Sequence, residues 1–183
     1  MPKPHSEPCV DFQDSSLKQR TVLSKEVLQE VWADMANTTL PSWIQMPPKN
    51  VGSSSAGRLK ADQWRTFSTV NLVITLIRLW SGTDMQPMLD NFLALVSAVR
   101  WATLRSTSNN HISVVQEQMI HYLTTTVQLF GARVLTINHH MSLHIVDFLR
   151  LFGPVHGWWS FPFERYNGIL AGTNSNFKAG ESS

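Results

Sequence analysis

Residues 60–80 read KADQWRTFSTVNLVITLIRLW, and no other part of the chain speaks so directly about architecture. Trp64, Phe67, Val70, Ile74 and Ile77 recur at spacings of three and four, while Leu72, Leu76 and Leu79 make the opposite side apolar too. This periodicity is that of an α-helix. A helix that is apolar all round is buried, so the spacing predicts a buried helix over 60–80. The apolar run from Val70 to Trp80 is broken by Arg78 and is about half the ~20 residues needed to cross a bilayer.

The flanking sequence continues the helical pattern. Upstream, residues 1–14 carry Pro2, Pro4 and Pro8 and are expected to be disordered. From Ser16 the pattern turns helical, with Leu28, Val31, Trp32 and Met35 on one side and Lys25, Glu26, Glu30 and Asp34 on the other. Prolines and glycines between residues 40 and 57 forbid regular structure. They predict a connector anchored by Trp43 and Ile44, then a flexible loop over about 47–59. Downstream, Gly82-Thr-Asp84 makes a turn before a helix over 85–105, and the polar stretch 106–110 separates it from a helix over 111–130 that Gly131 closes. Asn138 is a good N-cap for a helix over 139–152, stopped by Gly153-Pro154. Ser160 and Pro162 start a short last helix reaching about Leu170. No stretch alternates as a strand does. The expectation is a mainly α protein, an irregular bundle of about five to six helices over 15–172, with a flexible tail at 173–183.

Composition narrows the functional classes. The 183 residues are 43% hydrophobic and only 15% charged, with seven Trp and nine Phe. That is apolar and charge-poor for an independent domain, and it points to a piece that leans on another surface. A formal charge of +2 and a pI near 8.9 neither demand nor exclude nucleic acid. Cys9 is the only cysteine, so no internal disulfide is possible and a reducing compartment is expected. The N-terminus has no apolar signal-peptide core, which argues against secretion. No Gly-rich phosphate loop or Ser/His/Asp spacing supports a self-sufficient hydrolase.

The histidines and one carboxylate carry the chemistry. His140 and His144 lie four apart, so on a helix both imidazoles can reach one metal ion. Asp147 follows on roughly the same face, and His139 is an alternative ligand. Structural zinc takes four ligands and Cys9 is distant, so this chain alone does not close such a site. A bland reading stands beside the metal: a helix start that caps and hydrogen-bonds, with histidines packed on Trp158 or Trp159. Glu164 is the only carboxylate between Asp147 and Glu181 and sits among Trp158, Trp159, Phe161, Phe163 and Tyr166. Burying it unpaired would be costly, so it is either functional or paired with an arginine such as Arg78 or Arg150.

The residues Asn138-His-His-Met-Ser-Leu-His144 and Phe152-Gly-Pro-Val-His-Gly-Trp-Trp-Ser-Phe-Pro-Phe-Glu-Arg165 resemble the C-terminal region of En/Spm (CACTA)-type cut-and-paste transposases, a domain of unknown function numbered 4218. That pattern runs H-x3-H, then C/F-G-P-V, an aromatic run and Y/F-P-F-E-R. Leu40-Pro-Ser-Trp-Ile44, Pro47-Pro-Lys-Asn-Val-Gly52 and Gly57-Arg-Leu-Lys-Ala-Asp-Gln-Trp64 resemble the fungal branch of the group. The resemblance spans about residues 16–181. It implies a chain that is the helical insertion and last helix of a ribonuclease H-like core whose strands lie upstream. It also implies His140 and His144 as zinc ligands, and Glu164 as the third carboxylate of a triad that holds Mg²⁺. The two aspartates and the other half of the zinc site would lie upstream as well. Transposon-end DNA or full-length transposase would be the partner, and the nucleus the place of action.

On this reading the chain begins at a methionine inside a longer protein and stops where relatives continue, so DNA cleavage by it alone is not expected. The competing reading is a non-enzymatic helical interaction module, meeting transposase or DNA through Lys60, Arg65, Arg78, Arg100 and Arg105. Those cations are scattered along helices, where a solvated face is the commoner explanation.

Overall fold

The computed structural model describes residues 22–53, 55–160, 166, 167 and 169. The expected tails at 1–14 and 173–183, and the helical pattern between Ser16 and Thr21, lie outside the described residues. Among those described there are helices, turns and loops but no strand, so the protein is mainly α.

Helix α1 (Lys25–Asn37) begins where it does because Ser24 Oγ accepts the Val27 N–H at 3.4 Å. Its end is closed by Thr38 Oγ1, which donates to the Asp34 carbonyl at 2.7 Å. Val31 and Met35 are buried, and Trp32 Nε1 donates to the Val51 carbonyl at 2.9 Å. The connector is therefore held by Val51 and Pro47, both buried, rather than by Trp43, which stands in solvent. An indole has a donor to satisfy, and Trp32 rather than Trp43 finds the partner that allows burial.

The predicted 60–80 helix is present in three parts: α2 (Ala61–Thr66), a wide π turn (Phe67–Asn71) and α3 (Leu72–Trp80). Ser68 Oγ donates back to the Trp64 carbonyl and Thr69 Oγ1 to the Arg65 carbonyl, both at 2.8 Å; such back-bonding competes with the helical ladder. The wide turn adds one residue to the helical step, so the buried pair Thr66 and Phe67 is followed five positions later by Asn71 and Leu72. The ordinary step of four then leads to Thr75 and Leu76, and Trp80 ends the row. The burial is one-sided, not all round as the apolar pattern suggested, because Trp64, Ile74 and Ile77 are exposed. Asn71 is buried, and its amide has no hydrogen-bond partner among the described residues.

Helices α4 (Gln86–Ala102) and α5 (Asn109–Phe130) form an antiparallel hairpin. Ala94, Ala98 and Ala102, four apart and buried, present small side chains that let α5 approach. Asn91 near the start of α4 reaches the end of α5: its Nδ2 lies 2.9 Å from the Tyr122 carbonyl, 2.7 Å from Thr125 Oγ1 and 3.0 Å from Thr126 Oγ1. Ser108 Oγ caps α5 by accepting the His111 N–H, and Gly131 at φ 79° ends it.

The expected 139–152 helix is α6 (Ile137–Leu143) and α7 (Ile145–Phe152), with His144 at the junction. Its N-cap is Thr136, not Asn138, because Thr136 has His139 three positions on to complete a reciprocal capping pair. A short 3-10 turn (Val155–Gly157) follows, and Tyr166, Asn167 and Ile169 are helical.

Two cores result. The first joins α1, Val51, the α2–α3 path and Leu89 of α4; the second joins Ala102, Ile112 and Val115 to Val146 and Leu149 of α7. No helix among the described residues is long and apolar enough to cross a membrane.

Candidate metal centre

His140 lies in the last turn of α6, and His144 is the residue on which α6 passes to α7. One helical turn separates them, so their rings meet edge to face with centroids 5.0 Å apart. Their Nε2 atoms are 3.3 Å apart. Two nitrogens at about 2.0–2.1 Å from a tetrahedral zinc lie about 3.3–3.4 Å from each other, so the pair has the spacing of one edge of a zinc tetrahedron.

The far side of His144 is organised as well. Its Nδ1 is 3.8 Å from Asp147 Oδ2, a placement that favours the proton on Nδ1 and leaves Nε2 as a lone-pair donor. Asp147 Oδ1 in turn faces Arg150 at 3.6 Å, and Arg150 donates to Gln116 Oε1 of α5 at 3.1 Å. All of these groups are at least partly open to water, so the charges guide orientation more than they add stability.

His139, the alternative ligand, points elsewhere. Its Nδ1 accepts the Thr136 N–H at 3.0 Å, and its Nε2 lies 3.3 Å from the Tyr122 hydroxyl. Both ring nitrogens are thus engaged in closing the first turn of α6 and tying it to α5. Among the described residues no three His, Cys, Asp or Glu side chains are grouped to hold a metal. Glu164, the expected third carboxylate, lies outside the described residues, as does Cys9.

Two arginines suggested as partners for Glu164 have acids of their own. Arg78 joins α3 to α1 by contacts of 2.7 Å to Glu30 and 3.0 Å to Asp34; the hydrogen bond to Glu30, then that to Asp34, holds its guanidinium even more firmly protonated than usual. Arg150 is paired with Asp147. The aromatic block after α7 folds back on that helix: Trp158 Nε1 donates to the Gly153 carbonyl at 3.1 Å, and its ring meets Phe148 at 5.7 Å. His156 Nε2 lies 3.0 Å from the Thr103 carbonyl and its ring 4.1 Å from Trp159, which fastens this block to the end of α4.

Of the five cations the sequence offered as possible contacts, three share one place, which their scattered positions did not reveal. Arg65, Arg100 and Arg105, spread over forty positions of the chain, line a single cleft with Trp43, His156 and Trp159. The wide π turn, which touches α4, carries α2 to the same cleft as the end of that helix.

The class defined by these features is a mainly helical domain whose described residues bring two histidines together where α6 passes to α7. Residues 103–180 match the model of a family described as a domain of unknown function, DUF4218. The matched span holds α5 to α7, the histidine pair and Glu164, and it leaves out α1 to α4. No curated protein and no solved structure matches the chain.

Proposed function

We propose that this chain is the C-terminal part of a CACTA-type cut-and-paste DNA transposase acting in the nucleus, with His140 and His144 supplying half of a zinc site and Glu164 the third metal-binding carboxylate. The observation that carries the reading is the 3.3 Å separation of the two Nε2 atoms, set within the block of residues that resembles that family and inside the DUF4218 match. Structural zinc takes four ligands, so two come from another segment, and the ion would pin the α6–α7 edge to it. Mg²⁺ held by Glu164 and two further aspartates supplies, when bound, an activated water or 3′-hydroxyl and charge relief at the leaving oxygen. One glutamate does not hold two such ions. The isolated chain is therefore expected to bind zinc feebly and to leave DNA uncut.

Zinc uptake by the purified chain, followed by competition with a chromogenic chelator, tests the half-site. The expected result is loss of that uptake in the His140→Ala/His144→Ala variant while His139→Ala retains it. Unchanged stoichiometry in the double variant sinks the metal assignment. Robust nicking in Mg²⁺ or Mn²⁺ that Glu164→Gln abolishes would sink the fragment reading instead.

A second reading, a non-enzymatic helical interaction module, is favoured by a different observation. Ile137, Leu151 and Phe152 of α6 and α7 are 70%, 72% and 63% exposed, and exposed large apolar surface of this kind is what an interaction module presents. Self-association without zinc, measured by sedimentation and removed by Ile137→Ser/Leu151→Ser, would favour this module over the half-site.

A further inference from the structure

The cleft that collects Arg65, Arg100 and Arg105 is a wide, open depression of about 1050 Å³ between the 42–45 connector, α2, the end of α4 and the turn after α7. None of its lining residues belongs to the histidine pair. It is larger than the roughly 300–1,000 Å³ of common small-molecule pockets.

Its electrostatics are one-sided. Among the described residues Asp62 is the one carboxylate on its wall, 3.8 Å from Arg65 and partly exposed; such a pair gains little. Arg100 and Arg105 have no ion pair among the described residues. Three guanidiniums against one carboxylate attract an anion.

Its aromatic lining is equally specific. Trp43 stands 85% exposed at the rim, although an indole of that size loses by staying in water. The Arg65 guanidinium carbon lies 6.0 Å from the Trp159 ring centre, so cationic and aromatic surfaces alternate along the wall. A free phosphate would leave the aromatic faces unused. An acidic peptide would meet the arginines but offers a flat ring only where an aromatic side chain happens to fall, not on every unit. A duplex keeps its bases stacked inside. Single-stranded nucleic acid has both requirements, a phosphate on every unit and a π-face on every base.

We propose that this cleft is a docking site for a short stretch of single-stranded nucleic acid, with Arg100 and Arg105 on backbone phosphates and a base stacked on Trp43. Arg65, steadied by Trp159, closes the inner wall. Zinc is not needed at any point, so this site stands or falls apart from the half-site.

The test is fluorescence anisotropy of a labelled short oligothymidylate titrated with the full chain at several salt concentrations. Arg100→Ala/Arg105→Ala is expected to weaken binding at least tenfold and to make the log–log salt slope shallower by about 1.4, the value for two lost single-strand phosphate contacts. Trp43→Ala is expected to weaken it about tenfold with the salt slope unchanged. Arg133→Ala keeps the affinity, and circular dichroism reports that each variant is folded. Absence of binding, indifference to the Arg100/Arg105 and Trp43 changes, or equal competition by duplex DNA or polyglutamate overturns the proposal.

Discussion

The two cores of this protein differ in kind. Around α1 and α3, Val31, Val51, Leu72, Leu76, Trp80 and Leu89 are enclosed, with partly buried apolar neighbours packed against them. Along α6 and α7 only Val146 and Leu149 are enclosed, while Ile137, Met141, Leu151 and Phe152 lie outside. The first region encloses a row of large side chains, although Trp64, Ile74 and Ile77 of the same path remain exposed. The second carries the His140–His144 pair, and much of its apolar surface stands in solvent.

Paired substitutions sharpen this contrast most. Leu76→Ala removes a fully buried side chain and is expected to cost about 2–5 kcal/mol, whereas Leu151→Ala on the open edge is expected to stay within about 0.5 kcal/mol. Urea unfolding of both variants measures this. Equal losses would erase the distinction between a closed core and an open edge.

The two buried asparagines give a smaller difference of the same type. Asn91 links α4 to α5, so Asn91→Leu should cost about 1–3 kcal/mol through lost and stranded hydrogen bonds. Asn71 has no partner to lose among the described residues, and Asn71→Leu should be neutral or stabilising, with thermal midpoints as the readout. A large loss at Asn71 would mean that its amide holds a buried water.

The smallest effect belongs to the first helical turn. Ser24→Ala is expected to cost about 1 kcal/mol. The Ser24 hydroxyl, and next Glu26's own backbone N–H, hold the Glu26 carboxyl below its ordinary value. With the folded value lowered, that contribution is present above the ordinary pH range of a glutamate and fades as pH falls through the folded value. Ser24→Ala should flatten this part of the acid limb, and an unchanged limb would remove Glu26 from the account.

Much of the helical layout was legible because it rests on local rules. Gly131 ended α5 where its place predicted, and the run over 60–80 is continuously helical. What escaped was set by distant packing. The wide turn at Phe67–Asn71 depends on which face meets α1 and α4, and two apolar faces could not say which. Thr136 prevailed over Asn138 because His139 answers it across one turn and Tyr122, seventeen positions upstream, holds the ring. The His140–His144 pair was visible from spacing alone, since one helical turn fixes it. The convergence of Arg65 with Arg100 and Arg105 on one cleft was not, because no periodicity links residues so far apart in the chain.

The π turn also sets the aim of α2. Each residue of an α-helix turns the chain by about 100°, so taking one residue out of Phe67–Asn71 while α3 kept its seat would swivel everything ahead of it by that angle. Asp62 and Arg65 would sweep off the cleft wall together. The surplus residue thus works as an angular spacer, and the orientation of a cationic surface hangs on the count of residues in one loop of backbone.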